Sequence, residues 1–299
     1  MKYFSIYISL FFTNFYFAQQ SHIFKINKYK IAVLSDSLQE NSGLTFFKDQ
    51  LFSINDGGNT SELFQLNAQT GKVIKKHRTY LQNTDWEAIT NDNDNFYIGD
   101  FGNNNGTRKD LNIYKFPIDS GISVDRTLSV TDGFATSIPF YYPEQTDFRP
   151  KNLRNDFDAE AMIFLNGEIH LFTKEWNSKM TTHYLIDSNT FELQAAKKVE
   201  TFDIGFVVTD ASFFDGKLYL IGYTKKTEVF LQIFAVSENV DLFFTKPLQK
   251  YYLGSAISLG QIEGIAVNAS GIYISAERFL FPFGKTTQKF FHIPHDKLD

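Results

Sequence analysis

Three short segments of the chain set a glutamate in the same surroundings: Asp85-Trp86-Glu87-Ala88-Ile89, Asp158-Ala159-Glu160-Ala161-Met162 and Gln261-Ile262-Glu263-Gly264-Ile265. Each is followed, about thirteen residues on, by the end of a second apolar run. Self-similarity at a near-fixed spacing constrains a fold strongly, because each repeat must be one supersecondary unit that buries its apolar face against the next.

The repeat extends beyond the glutamates. Glu87 to Thr90 leads through a polar turn to Phe96 to Asp100, then through Gly/Asn-rich sequence to Leu111 to Phe116. The same order recurs from Ser42, Glu160, Ala211 and Glu263, so the equivalent positions Ser42, Glu87, Glu160, Ala211 and Glu263 stand 45, 73, 51 and 52 residues apart. Short β-branched and aromatic runs at this spacing predict an all-β chain, a single β-propeller of five four-stranded blades. The 73-residue interval leaves a six-bladed ring as the alternative. Fourth strands are expected at Lys72 to Lys76, at Ser137 to Tyr142, within Phe191 to Phe202 and within Asp241 to Tyr252. The last repeat runs out after three strands, and Tyr29 to Leu34 is left over to complete it and close the ring.

Residues 1–18 carry one early lysine and a nearly uncharged apolar stretch ending before Gln19-Gln20, which reads as a secretory signal peptide. Residues 19–299 then form the propeller domain, secreted or periplasmic, with no membrane span after signal cleavage. The absence of cysteine excludes disulfides, and a chain of this length can bury a core without them. The 33 Phe and 15 Tyr suit tapered interfaces between sheets. A net charge of -5 without a basic patch excludes nucleic acid as a partner.

First strands line the channel of a propeller, so Glu87, Glu160 and Glu263 are expected to face one another there. Three carboxylates in a narrow space repel, and burial adds to the cost. A divalent cation, a basic side chain such as Lys174, Arg154 or Arg278, or bound protons must offset this. Oxygen-only donors favour calcium or magnesium, with Asp56 and Asp100 as further metal ligands and Asp210 near a comparable strand end. The loops Asn55-Asp56-Gly57-Gly58-Asn59 and Gly99 to Gly106 follow second strands and share one face. On that rim Asn55, Asn103, Lys174, Trp176, Tyr223, Glu277 and Arg278 put rings beside polar groups, which suits a small polar molecule, a glycan or a protein. The histidines are dispersed and no G-x-S-x-G elbow occurs, so no catalytic residue is assigned.

The Glu-Ala-Ile and Glu-Gly-Ile-Ala segments, the paired Asn/Asp/Gly turns and the export-type N-terminus resemble uncharacterised secreted β-propeller proteins of the Bacteroidetes/Flavobacteria type. More distantly they are similar to the calcium-dependent gluconolactonase/paraoxonase and phytase-like propellers. That resemblance implies a calcium ion in the channel on Glu87, Glu160 and Glu263, and an ester, lactone or phosphate substrate. Three functions follow as expectations: a secreted propeller that binds a ligand at one rim, a calcium-dependent hydrolase, or a structural assembly module.

Overall fold

Runs rich in Phe, Tyr, Ile and Val, punctuated by Gly, Asn and Asp turns, form twisted antiparallel sheets in the computed structural model, which describes residues 21–79, 81–117, 135–236 and 242–298. The expected signal peptide lies outside the described residues, as does part of the Asp119 to Asp156 connection. Blade 1 is Asn41–Phe47, Gln50–Asn55, Glu62–Leu66 and Val73–Arg78. Blade 2 is Trp86–Asn91, Asn95–Asp100, Asn112–Pro117 and Thr136–Tyr141. Blade 3 comprises Ala159–Leu165, Glu168–Thr173, Thr181–Asp187 and Lys197–Phe202, and blade 4 Val207–Phe214, Lys217–Tyr223, Glu228–Ala235 and Pro247–Ser255. Blade 5 takes Gln261–Asn268, Gly271–Glu277 and Lys289–Ile293 from the end of the chain and Lys30–Val33 from its beginning.

That last pairing is the expected closure: Lys30–Val33 runs antiparallel to Lys289–Ile293 as the outer strand of blade 5. Each first strand contacts the first strands of both neighbouring blades, blade 5 against blade 1 included. The ring is a five-bladed β-propeller, and the long interval holds one blade with an extended connection. Two short parallel strands, His22–Ile23 on blade 4 and Gln194–Ala195 on blade 2, cover outer edges that would otherwise expose unpaired backbone groups.

Five apolar clusters fill the five interfaces between blades. Phe52, Phe96 and Ile98 lie between blades 1 and 2, and Tyr97, Phe140, Leu171 and Tyr184 between blades 2 and 3. Phe172, Leu218, Phe234 and Phe243 join blades 3 and 4, Tyr219, Leu231, Ile274 and Phe291 blades 4 and 5, and Leu44, Phe64, Tyr273 and Phe290 blades 5 and 1. Many of the ring contacts are edge-on or tilted, as in Phe52 against Phe96 at 5.0 Å, which lets flat side chains fill a wedge.

Every first strand carries a β-bulge at the same point, one residue left over in the pairing with the second strand. The extra residues are Gly43, Glu87, Glu160, Thr209 and Glu263. This corrects the register expected for two blades, by one residue at Ser42 and by two at Ala211. A bulge breaks the period-2 alternation, so apolar pattern alone misaligns the blades whose extra residue is not a glutamate. In blade 1 the bulged Gly43 has φ of +68°, and a Cβ there would come within 3.1 Å of the Ile89 amide nitrogen.

Candidate functional site

The bulge aims its extra side chain along the channel. Glu87, Glu160 and Glu263 are 4%, 3% and 6% exposed and all line one cavity of about 400 Å³ at the mouth of the channel, with Asp56, Lys174, Trp176, Tyr223 and Glu277. In blades 1 and 4 the equivalent strands tie the ring together instead. Ser42 Oγ donates to the Glu87 carbonyl at 2.6 Å, and Thr209 Oγ1 to the Ile262 carbonyl at 2.8 Å.

Deeper in, Asp210 accepts from the backbone N–H groups of Ala211, Leu44 and Ile265 at 2.8, 3.1 and 2.7 Å. One fully buried carboxyl thereby links blades 4, 1 and 5. Burial pushes its pKa well above the usual carboxylate range against the pull of those three amides. Its role is structural.

The three glutamates share the cavity but have different neighbours. Glu87 lies with Asp85 and Asp56, whose carboxylate oxygens fall within 4.8 Å of one another. Glycine makes the space: a Cβ on Gly102 would come within 2.3 Å of Glu87 Oε1 and 2.4 Å of Asp85 Oδ2, and one on Gly57 within 2.4 Å of Asp85 Oδ1. Burial raises the Glu87 carboxyl well above its ordinary range, with repulsion from Asp56, Glu160 and Asp85 adding to it. Burial likewise lifts Asp56 to about 6, opposed by the Gly57 amide and reinforced by Asp85.

Glu160 has a cation of its own. Lys174 Nζ is bonded to Glu160 Oε1, and both side chains are 4% exposed. Burial disfavours the Lys174 ammonium, yet Glu160 and, beyond it, Tyr223, Glu263 and Asp158 hold its pKa well above the ordinary value. An ammonium has donors only, so Glu160 Oε1 accepts in this contact, and Lys174 opposes the rise that burial imposes on the Glu160 carboxyl. Lys174 also lies 5.3 Å from the Trp176 ring and 5.6 Å from that of Tyr223. The neighbouring Asp158 accepts from the Asn103 amide at 2.6 Å.

Glu263 is held by neutral groups. Gln261 Nε2 donates to its Oε1 at 2.7 Å and Tyr223 Oη at 3.4 Å. Burial raises it to about 8, with Lys174 opposing and Glu277 reinforcing. Glu277 rises to about 8 as well, through burial and then repulsion from Asp56.

Other residues singled out in the sequence are engaged elsewhere. Asp100 pairs with Arg108 at 3.0 Å and accepts from the Thr84 and Asp85 amides, each at 3.1 Å, so it braces the loop carrying Asp85 and is not among the residues lining the cavity. Asn103 bonds the Phe157 carbonyl and the Arg108 amide, and Asn55 the Ser37 carbonyl. Arg278 stands 3.8 Å from Glu40 at the rim. His170 and His183 stack at 2.9 Å between ring nitrogens against Phe243 in the interface of blades 3 and 4.

Asp85 belongs to the cluster although the sequence pattern did not mark it as a ligand. Its signal is recurrence: an aspartate stands two residues before the bulged glutamate in both blades 2 and 3, as Asp85 and Asp158. Asn104 of the Gly99 to Gly106 loop, Gln261 of the third repeat segment and Lys225, just past a second strand, join the cavity wall, as does Asn41, which no motif marks.

No family model and no curated protein matches the chain. Solved structures that resemble it are a hydrazine synthase of Kuenenia stuttgartiensis (10% identity, 81% of this chain and 57% of that one, TM-score 0.40) and the WD40 β-propeller domain of Doa1 (10% identity, 83% and 65%, TM-score 0.37). The chain thus spans less than two thirds of either. A putative 6-phosphogluconolactonase from Bacteroides uniformis is similar at 13% identity over 88% of this chain and 73% of that one, with a TM-score of 0.37. At TM-scores of 0.37 to 0.40 these likenesses carry no argument, and the five-bladed assignment rests on the strand pairing above.

Proposed function

We propose that the protein is an exported binding propeller whose channel mouth holds a divalent cation of the calcium type on Asp56, Asp85 and Glu87, with a small polar ligand in the remainder of the cavity. The observation that carries this is the convergence of three carboxylates, with no lysine or arginine bonded to them among the described residues, in a space that Gly57 and Gly102 keep open. Oxygens that share one calcium ion, each at about 2.3 to 2.6 Å, lie within about 5 Å of one another, so this donor set fits. Carboxylate-only donors select a hard cation over zinc or copper. A calcium ion held there supplies the positive charge that the cluster lacks and a Lewis acid for an oxygen of the ligand. Export is supported by the composition of residues 1–18.

Titrating calcium into chelator-stripped protein by calorimetry tests the reading. Saturable binding is expected, weakened at least tenfold by Asp85→Asn or Glu87→Gln, with a calcium-dependent rise in melting temperature that shrinks in parallel. Absence of heat at millimolar calcium refutes it.

A second reading, a calcium-dependent hydrolase of esters, lactones or phosphates, is favoured by Glu263 and Glu277, which line the same cavity and hold protons near pH 8. Such carboxyls can donate to a leaving group. Turnover that is unchanged by chelation rules this reading out.

A further inference from the structure

Three residues that line the cavity each carry a buried polar atom with no hydrogen-bond partner among the described residues: Asn41 Oδ1, Glu160 Oε2 and Trp176 Nε1. Their residues are 0%, 3% and 7% exposed. A buried donor or acceptor left unmet costs free energy, so these are the positions where a bound molecule gains most. Two are acceptors and one is a donor, and the Lys174 ammonium beside them adds further donors.

From this set we infer that the cavity takes a neutral polyhydroxylated molecule, of monosaccharide size, that donates hydroxyls to Glu160 and Asn41 and accepts from Trp176. The inference deepens the binding function proposed above and rests on it. Hydroxyl groups donate and accept at once, which suits a wall that carries both unmet acceptors and an unmet donor. A cavity of about 400 Å³ holds one such ring with water. Phe279 supplies apolar surface for its C–H faces.

Hydrogen bonding and the occupied ring faces disfavour charged ligands. The charged oxygens of an anionic ligand only accept, so they leave Asn41 Oδ1 and Glu160 Oε2 unmet. A cationic one finds the aromatic ring faces already occupied, since Lys174 and Lys225 lie 5.3 and 5.5 Å from Trp176 and Lys174 5.6 Å from Tyr223. Raised carboxyl pKa values at Glu263 and Glu277 agree, because protonated they are neutral and can donate to a hydroxyl.

The test is calorimetric titration of the calcium-loaded protein with glucose, galactose, mannose and myo-inositol beside glucuronate and glucosamine. At least one neutral compound is expected to bind saturably, tighter than both charged ones, and Trp176→Phe, which keeps a ring but removes the N–H, should weaken it about fivefold to tenfold. Tighter binding of glucuronate or glucosamine, or an unchanged affinity in Trp176→Phe, overturns the inference. Calcium binding without any response to the neutral compounds overturns it while leaving the cation site standing. Loss of both removes the two readings together.

Discussion

Blades 2 and 3 begin with the same motif, Asp85-Trp86-Glu87 and Asp158-Ala159-Glu160, bulged at the same glutamate, yet they solve the problem of buried negative charge in opposite ways. In blade 3 the N–H of Lys174 bonds the Asp158 carbonyl at 2.8 Å, and its side chain neutralises Glu160. In blade 2 the N–H of Gly102 makes the corresponding bond to the Asp85 carbonyl at 3.1 Å. There the missing side chain leaves its space to Asp85 and Glu87. A repeated acidic motif therefore specifies where carboxylates converge, and the residue just past the second strand decides whether a lysine compensates them.

Exchanging Lys174 and its counterpart Gly102 breaks the comparison most severely. Lys174→Gly strands Glu160 as an unpaired buried charge, which typically costs about 3 to 5 kcal/mol, and chemical denaturation without metal should register that loss. If the comparison holds, part of the loss is recovered by calcium through a second site on Asp158 and Glu160. Recovery absent at saturating calcium would show that blade 3 lacks the geometry of blade 2.

The reverse exchange, Gly102→Lys, is expected to abolish calcium binding because an ammonium then occupies the place of the ion. Metal-free stability should change little or rise by about 1 kcal/mol, since the flexible carboxylate ends can yield to the new side chain and gain a partner. A variant that still binds calcium with native affinity would displace the ion from Asp85 and Glu87. Calorimetry and thermal melts with chelator give both readouts.

The pH dependence sharpens the same contrast. Asp56 rises from 3.8 to about 6, and Glu263 and Glu277 from 4.5 to about 8, so the folded protein retains protons that the unfolded chain releases. A raised carboxyl contributes stability fully below its unfolded pKa and loses it as pH climbs through the folded one. Metal-free stability should therefore fall between about pH 4 and pH 9, each unit of difference being worth about 1.4 kcal/mol. Calcium should remove the part due to the proposed ligands Asp56 and Glu87 and leave the part due to Glu263 and Glu277. Melting curves across this range, with calcium and with chelator, separate the two.

Much of this was legible in the sequence, for identifiable reasons. The period of the apolar runs fixed the blades, and a leftover strand at one end matched a missing strand at the other. Glu87, Glu160 and Glu263 were found because a bulge places the same residue type at the same point in three blades. Gly43 and Thr209 were missed because the bulge is a property of pairing, invisible where the extra residue changes. The fate of Asp100 was hidden for a similar reason: Arg108, eight residues away in a loop, captures it. Nor does sequence show that Gly102 and Lys174 are counterparts, because Phe101 is an additional residue before the bond to Asp85 and turns into the interface of blades 2 and 3.

The smallest expected effect concerns the rim, where a cation stands near the site without compensating it. Arg278 lies 3.8 Å from Glu40 with both side chains about a third or more exposed, and its backbone N–H bonds the Gln39 carbonyl whatever the side chain. Exposed pairs of this kind contribute about 0 to 1 kcal/mol, because solvent screens the attraction and ordering two long side chains costs entropy. Arg278→Gln should accordingly leave stability within about 0.5 kcal/mol and calcium affinity within about twofold. A larger fall in affinity would mean that Glu40 needs Arg278 to keep it from the cradle, since Glu40 acts on Asp56 through its charge and holds Asn59 at 2.9 Å. The compensation of charge would then extend from the channel wall to the rim, and blade 2 would depend on an arginine from blade 5 as blade 3 depends on its own lysine.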